Sequence, residues 1–366
     1  MASKVDPQIA ARARMLGAGN LNSCYHCGTC TAICPLSQDG VSFPRRVIRQ
    51  LQLGLKDKLM ESPEPWLCYY CGDCSASCPQ EAEPAESIMA ARRYLTSLYD
   101  STGLAFKMYT SKAWEFGAIF GLGLLVVLAF IFFHGPIVTD HVELNSFAPA
   151  HIIEYFDWGM GAVLSVFLLS NLFRMVRRVM GAEQTKIPLK FYISELMELP
   201  ANFALQKRWK ECEDRSMWKK HLLLVSGYVT MFVMIFGFLR WFQTDEVHPI
   251  WHPQRLLGYF ATFALMYVTV DMMIGRIKKK LAMHKFSHST DWLFLIMLFL
   301  TALSGILVHI FRVGGFPMST YVMYVIHMAI LVPMLMIEVP FGKWSHLAYR
   351  PMVAYLHKVK QKAAVS

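Results

Sequence analysis

The chain of 366 residues has room for two or more domains, and its 55% hydrophobic residues and mean hydropathy of +0.34 average a polar first hundred residues with an apolar remainder. That division excludes a uniformly soluble protein and describes a soluble head joined to a membrane domain. The formal net charge of +10 does not point to nucleic acid, because the basic residues cluster beside apolar spans and not on one soluble face.

Residues 1–23 are a polar lead with a short helix expected around 9–16, and residues 1–20 lack the apolar core of a signal peptide. There follows the run Cys24-Tyr-His-Cys27-Gly-Thr-Cys30-Thr-Ala-Ile-Cys34-Pro35, repeated forty-four positions on as Cys68-Tyr-Tyr-Cys71-Gly-Asp-Cys74-Ser-Ala-Ser-Cys78-Pro79. Three thiolates at two-residue gaps point into one concavity and can wrap a cubane; the fourth comes from elsewhere. In two-cluster ferredoxins the Cys before Pro ligates the other cluster. The spacing therefore predicts one [4Fe–4S] cluster on Cys24, Cys27, Cys30 and Cys78, and a second on Cys68, Cys71, Cys74 and Cys34. Pro35 and Pro79 turn the chain away, and Gly28 and Gly72 stand where a side chain would crowd the cluster. Structural zinc also suits C-x-x-C pairs, but it would leave the crossed fourth Cys without a role. Disulfides would need an oxidising compartment.

Between the runs, residues 43–55 read as an amphipathic helix with Val47, Ile48, Leu51 and Leu55 on one face. It carries Arg45, Arg46 and Arg49, which either raise the potential of a nearby anionic cluster or form an ordinary solvated face. Residues 86–99 read as a further helix. Six apolar spans follow, each near the ~20 residues that cross a bilayer, at about 113–134, 156–176, 221–242, 255–275, 290–311 and 320–341. The expected fold is mostly α: a helical two-cluster ferredoxin head over 1–105, a six-span transmembrane helix bundle over 106–350, and a tail over 351–366.

Charge fixes the orientation. Ten Lys or Arg lie between Arg177 and Lys220 and five between Arg276 and Lys285, whereas the loops 135–155 and 243–254 contain none. The positive-inside rule places the basic loops, the head and both termini in the cytoplasm, with the spans in the inner membrane. Cys212, in the first basic loop, is expected as a free thiol.

A histidine inside a span is costly without a partner or metal. Two neutral imidazoles from two helices can hold a b-type haem, and no C-x-x-C-H is present for covalent attachment. By depth, His221 and His346 lie at the cytoplasmic side, His309 and His327 at the outer side. The offsets from Asp291 to His309 and from His327 to His346 are eighteen and nineteen residues, ~27–28 Å of helix. The expectation is an inner haem on His221 and His346 and an outer haem on His309 and His327. Nineteen residues of ideal helix would turn His346 about 100° away from His327 unless Pro333 and Pro340 distort the segment or the pairing differs. His134, His141, His151, His248 and His252 read as outer-margin surface residues. A quinone site is expected near His248, Trp251 and His252.

The residues Ser287 to Asp291, His327, Pro340-Phe341-Gly-Lys343 and His346 resemble the gamma subunit of respiratory nitrate reductase, a membrane cytochrome b, and His221 falls at that family's first ligand in its second span. This resemblance implies the His221–His346 pair. The family's next histidine, ten residues on, is matched here by Met231, and His309 is taken as its substitute. Both cysteine runs resemble the C subunit of heterodisulfide reductase. Head and cytochrome together look like the C subunit of the quinone-interacting membrane-bound oxidoreductase of sulfate-reducing microbes.

That resemblance implies electron transfer between menaquinone and cytoplasmic flavin and iron-sulfur subunits, and onward to adenylylsulfate reductase. No residue is expected to make or break bonds. The rivals are a membrane module of a sulfite-reductase-linked or heterodisulfide-reductase complex, a redox-sensing membrane protein, and an anchor with structural zinc.

Overall fold

The computed structural model describes residues 4–37, 42–181, 187–206 and 215–365. Among them every regular element is a helix, and six helices are long and apolar enough to cross a membrane: Lys112–Phe133, Ala150–Met180, Ser216–Phe242, Pro253–Ile277, Ser289–Val313 and Pro317–Glu338, here called spans one to six. Their limits lie within a few residues of the expected ones, except that span two runs to 31 residues. The chain is thus a multi-pass membrane protein, with outward-facing apolar side chains such as Phe120, Leu124, Phe132, Val166 and Leu169 exposed for lipid to cover.

Packing runs in the order one, six, five, four, three, two. Spans three and six are therefore separated by spans four and five. Span three approaches span four closely because Gly227 lacks a Cβ, which would lie 2.6 Å from Ala264 Cβ. Span six carries Pro333 and ends at Glu338; a 3₁₀ turn Lys343–Ser345 precedes a new helix, His346–Val365. His346 therefore opens a separate helix, and its direction is not tied to that of His327.

The head is built around the helix Pro84–Tyr99, buried along nearly its whole length. Ile9, Ala13 and Leu16 of the helix Ile9–Met15 and its C-cap, and Val47, Ile48 and Leu51 of the helix Arg45–Gln52, pack in the same core. Two other parts of the chain complete it: Met175, Val179 and Met180 in the last turns of span two, and Tyr349, Val353, Leu356 and Val359 of the last helix. The segment expected as a tail is thus part of the head's core. Tyr349 is fully buried, 5.0 Å from Trp66 and 5.6 Å from Tyr99 between ring centres.

The seam between head and membrane domain is ionic. Asp291, at the start of span five, accepts from Arg93 Nη2 at 3.0 Å and from Lys343 Nζ at 2.8 Å, while Arg93 Nη1 donates to Leu16 O at 2.7 Å. Arg93 and Asp291 are both buried, so each charge is compensated where water does not reach.

Candidate metal and cofactor sites

The two cysteine runs adopt the same backbone. His26 and Tyr70, at equivalent positions, have φ of 60° and 62°, and Gly28 and Gly72 have φ of 94° and 91°. Each glycine caps a short helix, Thr29–Ile33 or Asp73–Ala76. The left-handed conformation, strained for any residue with a Cβ, is the reason for glycine here. At Gly72 there is a second reason: a Cβ would lie 2.7 Å from Ala282 Cβ and from Met283 N, in the loop between spans four and five.

The thiols of the two runs lie close enough to act on one another. Burial pushes Cys30 up from the ordinary thiol value, and the thiols acting on it are Cys24, Cys78 and Cys27. Burial raises Cys74 well above that value, with Cys68, Cys71, Cys34 and Cys30 acting in turn. Cys34 is pushed up to about 11, first by burial and then by Cys68 and Cys30. Cys78 thus lies near Cys30 of the first run and Cys34 near Cys68 and Cys74 of the second, while Cys30 also acts on Cys34 and Cys74. Backbone N–H groups already point at sulfur: Tyr70 N donates to Cys68 Sγ at 3.3 Å and Ala82 N to Cys78 Sγ at 3.4 Å. Among the described residues no three His, Cys, Asp or Glu side chains converge on the point that a single ion would occupy. Cys212 lies outside the described residues, as do Lys186, Lys207, Arg208 and Lys210.

Two large cavities occupy the membrane domain. The one next to the head is lined by His221, Tyr228, Trp344, His346 and Arg350, and also by Tyr69 and Tyr70 of the second cysteine run. His221 and His346 stand across it with ring centres 6.5 Å apart and planes at 60°. Two metal–nitrogen bonds of about 2 Å, plus roughly 1 Å from each ring centre to its nitrogen, add to about 6 Å, so the pair fits a single iron between them. The tautomers fit as well. His346 Nδ1 donates to the Lys343 carbonyl, and His221 Nδ1 donates to Gln206 Oε1 at 2.7 Å; both rings carry the ligating lone pair on Nε2.

The far cavity is lined by Met231 and Ile235 of span three, Arg255 and Tyr259 of span four, His309 of span five, and Tyr324, His327 and Leu331 of span six. His327 is held like the near pair: Ser304 Oγ donates its proton to Thr301 O at 3.2 Å and accepts from His327 Nδ1 at 2.9 Å. The expected partner, His309, is held differently. Arg255 donates to the Tyr259 hydroxyl at 2.7 Å, and that hydroxyl donates to His309 Nε2 at 2.9 Å. His309 shares the cavity with His327, but its Nε2 is turned toward span four.

Neither Arg93 with Asp291 and Lys343 nor Arg255 with Tyr259 was legible as functional from the sequence. Asp291 and Lys343 stand out in the sequence as part of the stretches that resemble the nitrate reductase gamma subunit, but not as partners of Arg93. Arg45 reaches the first run, 3.4 Å from where a Gly28 Cβ would sit. Arg46 pairs with Glu64, and Arg92 donates to the Cys68 carbonyl.

Residues 23–83 match the family model for a 4Fe-4S dicluster domain. The chain is 34% identical over 116 residues, 31% of its length, to an Archaeoglobus profundus protein that is like the C subunit of heterodisulfide reductase. It is 35% identical over 101 residues, 28% of its length, to the iron-sulfur C subunit of the CoB–CoM heterodisulfide reductase of Methanopyrus kandleri. With the C subunit of the H(2):CoB-CoM heterodisulfide,ferredoxin reductase of Methanothermobacter thermautotrophicus it shares 32% identity over 63 residues, 17% of its length. The chain spans 61%, 48% and 34% of these three relatives. No solved structure matches it. The head is therefore a 4Fe–4S dicluster domain similar to heterodisulfide reductase C subunits, carried on a six-span membrane protein.

Proposed function

We propose that this protein is the membrane electron-transfer subunit of a quinone oxidoreductase complex, exchanging electrons between menaquinone or menaquinol and soluble flavin and iron-sulfur subunits. The clusters are assigned to Cys24, Cys27, Cys30 and Cys78, and to Cys68, Cys71, Cys74 and Cys34. One b haem is assigned to His221 and His346, and a second to the far cavity on His327. Bound, these groups are one-electron carriers. The protein's own part is to hold them in line, to fix the Nδ1 protons of the ligating histidines, and to close the path to water with the apolar walls of the bundle.

The observation that carries this reading is the shared wall of the head-side cavity. Tyr69 and Tyr70, between the first two cysteines of the second run, line the same space as His221 and His346. Charge distribution orients head and termini toward the cytoplasm, and the resemblance to sulfate-reducing systems makes adenylylsulfate reductase the soluble acceptor or donor. The relatives' names favour a second reading, a membrane module of a heterodisulfide-reductase-type complex, which differs in partner and not in wiring. Optical and EPR spectra of the purified chain test the proposal: two b-type haems reducible by a menaquinol analogue, and two cubane signals, are expected. Zinc in place of iron, or haems indifferent to quinol, overturns it.

A further inference from the structure

Resting on that reading, the geometry points to Met231, and not His309, as the second axial ligand of the haem that His327 holds.

Three arguments converge. The first is the register of span three, where His221, Leu224 and Tyr228 line the head-side cavity and Met231, Ile235 and Leu239 continue the same stripe into the far one. Met231 lies ten residues beyond His221, about 15 Å of helix. Met231 and His327 both line that far cavity. The second is the packing order. Spans five and six are in direct contact, and packed helices stand only about 8–10 Å apart, so His309 and His327 sit on neighbours with no slot between them. Spans three and six face one another across the interior, and they or their extensions already supply His221 and His346.

The third is proton placement. His221, His327 and His346 each use Nδ1 as a donor and keep the Nε2 lone pair for a ligand. His309 is reversed, because its Nε2 accepts from Tyr259, whose hydroxyl in turn accepts from Arg255. Arg255 Nη2 also stands 3.4 Å from His309 Nε2, and because Arg only donates, that nitrogen is the acceptor. Met328 also lines the cavity but is adjacent to His327 on the same helix, and cannot approach the opposite face of the macrocycle. The thioether of Met231 is then the donor across from His327 Nε2, a combination that favours the reduced iron and raises its potential relative to a pair of imidazoles.

The test uses the full chain with haem, comparing Met231→Leu, Met231→His and His309→Ala by low-temperature EPR, optical spectra and redox titration, with the cubane signals as control for folding. Met231→Leu is expected to convert one of the two low-spin haems to high spin. Met231→His should keep both low spin but lower the midpoint of one, and His309→Ala should leave both low spin. Two unaltered low-spin haems in Met231→Leu, or an unshifted midpoint in Met231→His, overturn the assignment. Conversion by His309→Ala would transfer the role to that residue. A wild-type chain without b haem instead removes the reading on which the inference rests.

Discussion

Replacing Asp291 by Asn tests whether the head is held on the membrane domain by a buried charge cluster. The substitution keeps the shape but leaves the Arg93 guanidinium, with a side chain 5% exposed, without its counter-charge. Lys343 is 26% exposed and can be rehydrated, so the cost sits mainly on Arg93. Breaking a buried pair from one side costs about 3–5 kcal/mol, against roughly 0–1 for an exposed pair. Because Arg93 keeps its bond to Leu16 O, the lower end applies, about 3 kcal/mol or roughly a hundredfold in the folded ratio. Denaturant unfolding of the detergent-solubilised protein, followed through the cubane absorbance, measures it. The double variant Arg93→Met with Asp291→Leu removes both charges and should recover most of the loss. A cost below about 1 kcal/mol for Asp291→Asn, or no recovery in the double variant, refutes the argument that burial governs this cluster.

Other expectations follow from single residues. His346→Ala should abolish one b-type signal and leave the cubane signals; two intact haems would contradict the near pair. Cys78→Ser should damage the cluster that begins at Cys24, and EPR damage confined to the Cys68 cluster would contradict the crossed ligation. Gly28→Ala and Gly72→Ala both place a Cβ on left-handed backbone, about 1–2 kcal/mol each. The second also strikes the backbone at Met283, so its melting temperature should fall further, and equal falls would show that the loop yields freely.

Much of this architecture is written locally and so could be read locally. The cysteine runs declare themselves by spacing, and the spans by length, because both signals are complete within a short stretch. The near histidine pair was legible since each member marks an apolar span or its edge. Contacts between distant segments were not. Arg93 and Asp291 are 198 positions apart, and nothing in either neighbourhood names the other. The role of the last helix was partly written: Tyr349, Val353, Leu356 and Val359 recur at helical spacing, an apolar stripe at odds with a solvated tail. His309 does share a cavity with His327, but the Arg255 and Tyr259 side chains that engage its Nε2 come from another span, and nothing near His309 in the sequence names them.

One consequence concerns how the molecule is handled. His346 is the first residue of a helix whose body is embedded in the head, so the carboxyl end acts as a strut between the two halves, with a proposed iron ligand at its root. An affinity tag or reporter fused to that helix loads the strut, and with it the spacing between carriers that spectroscopy would measure.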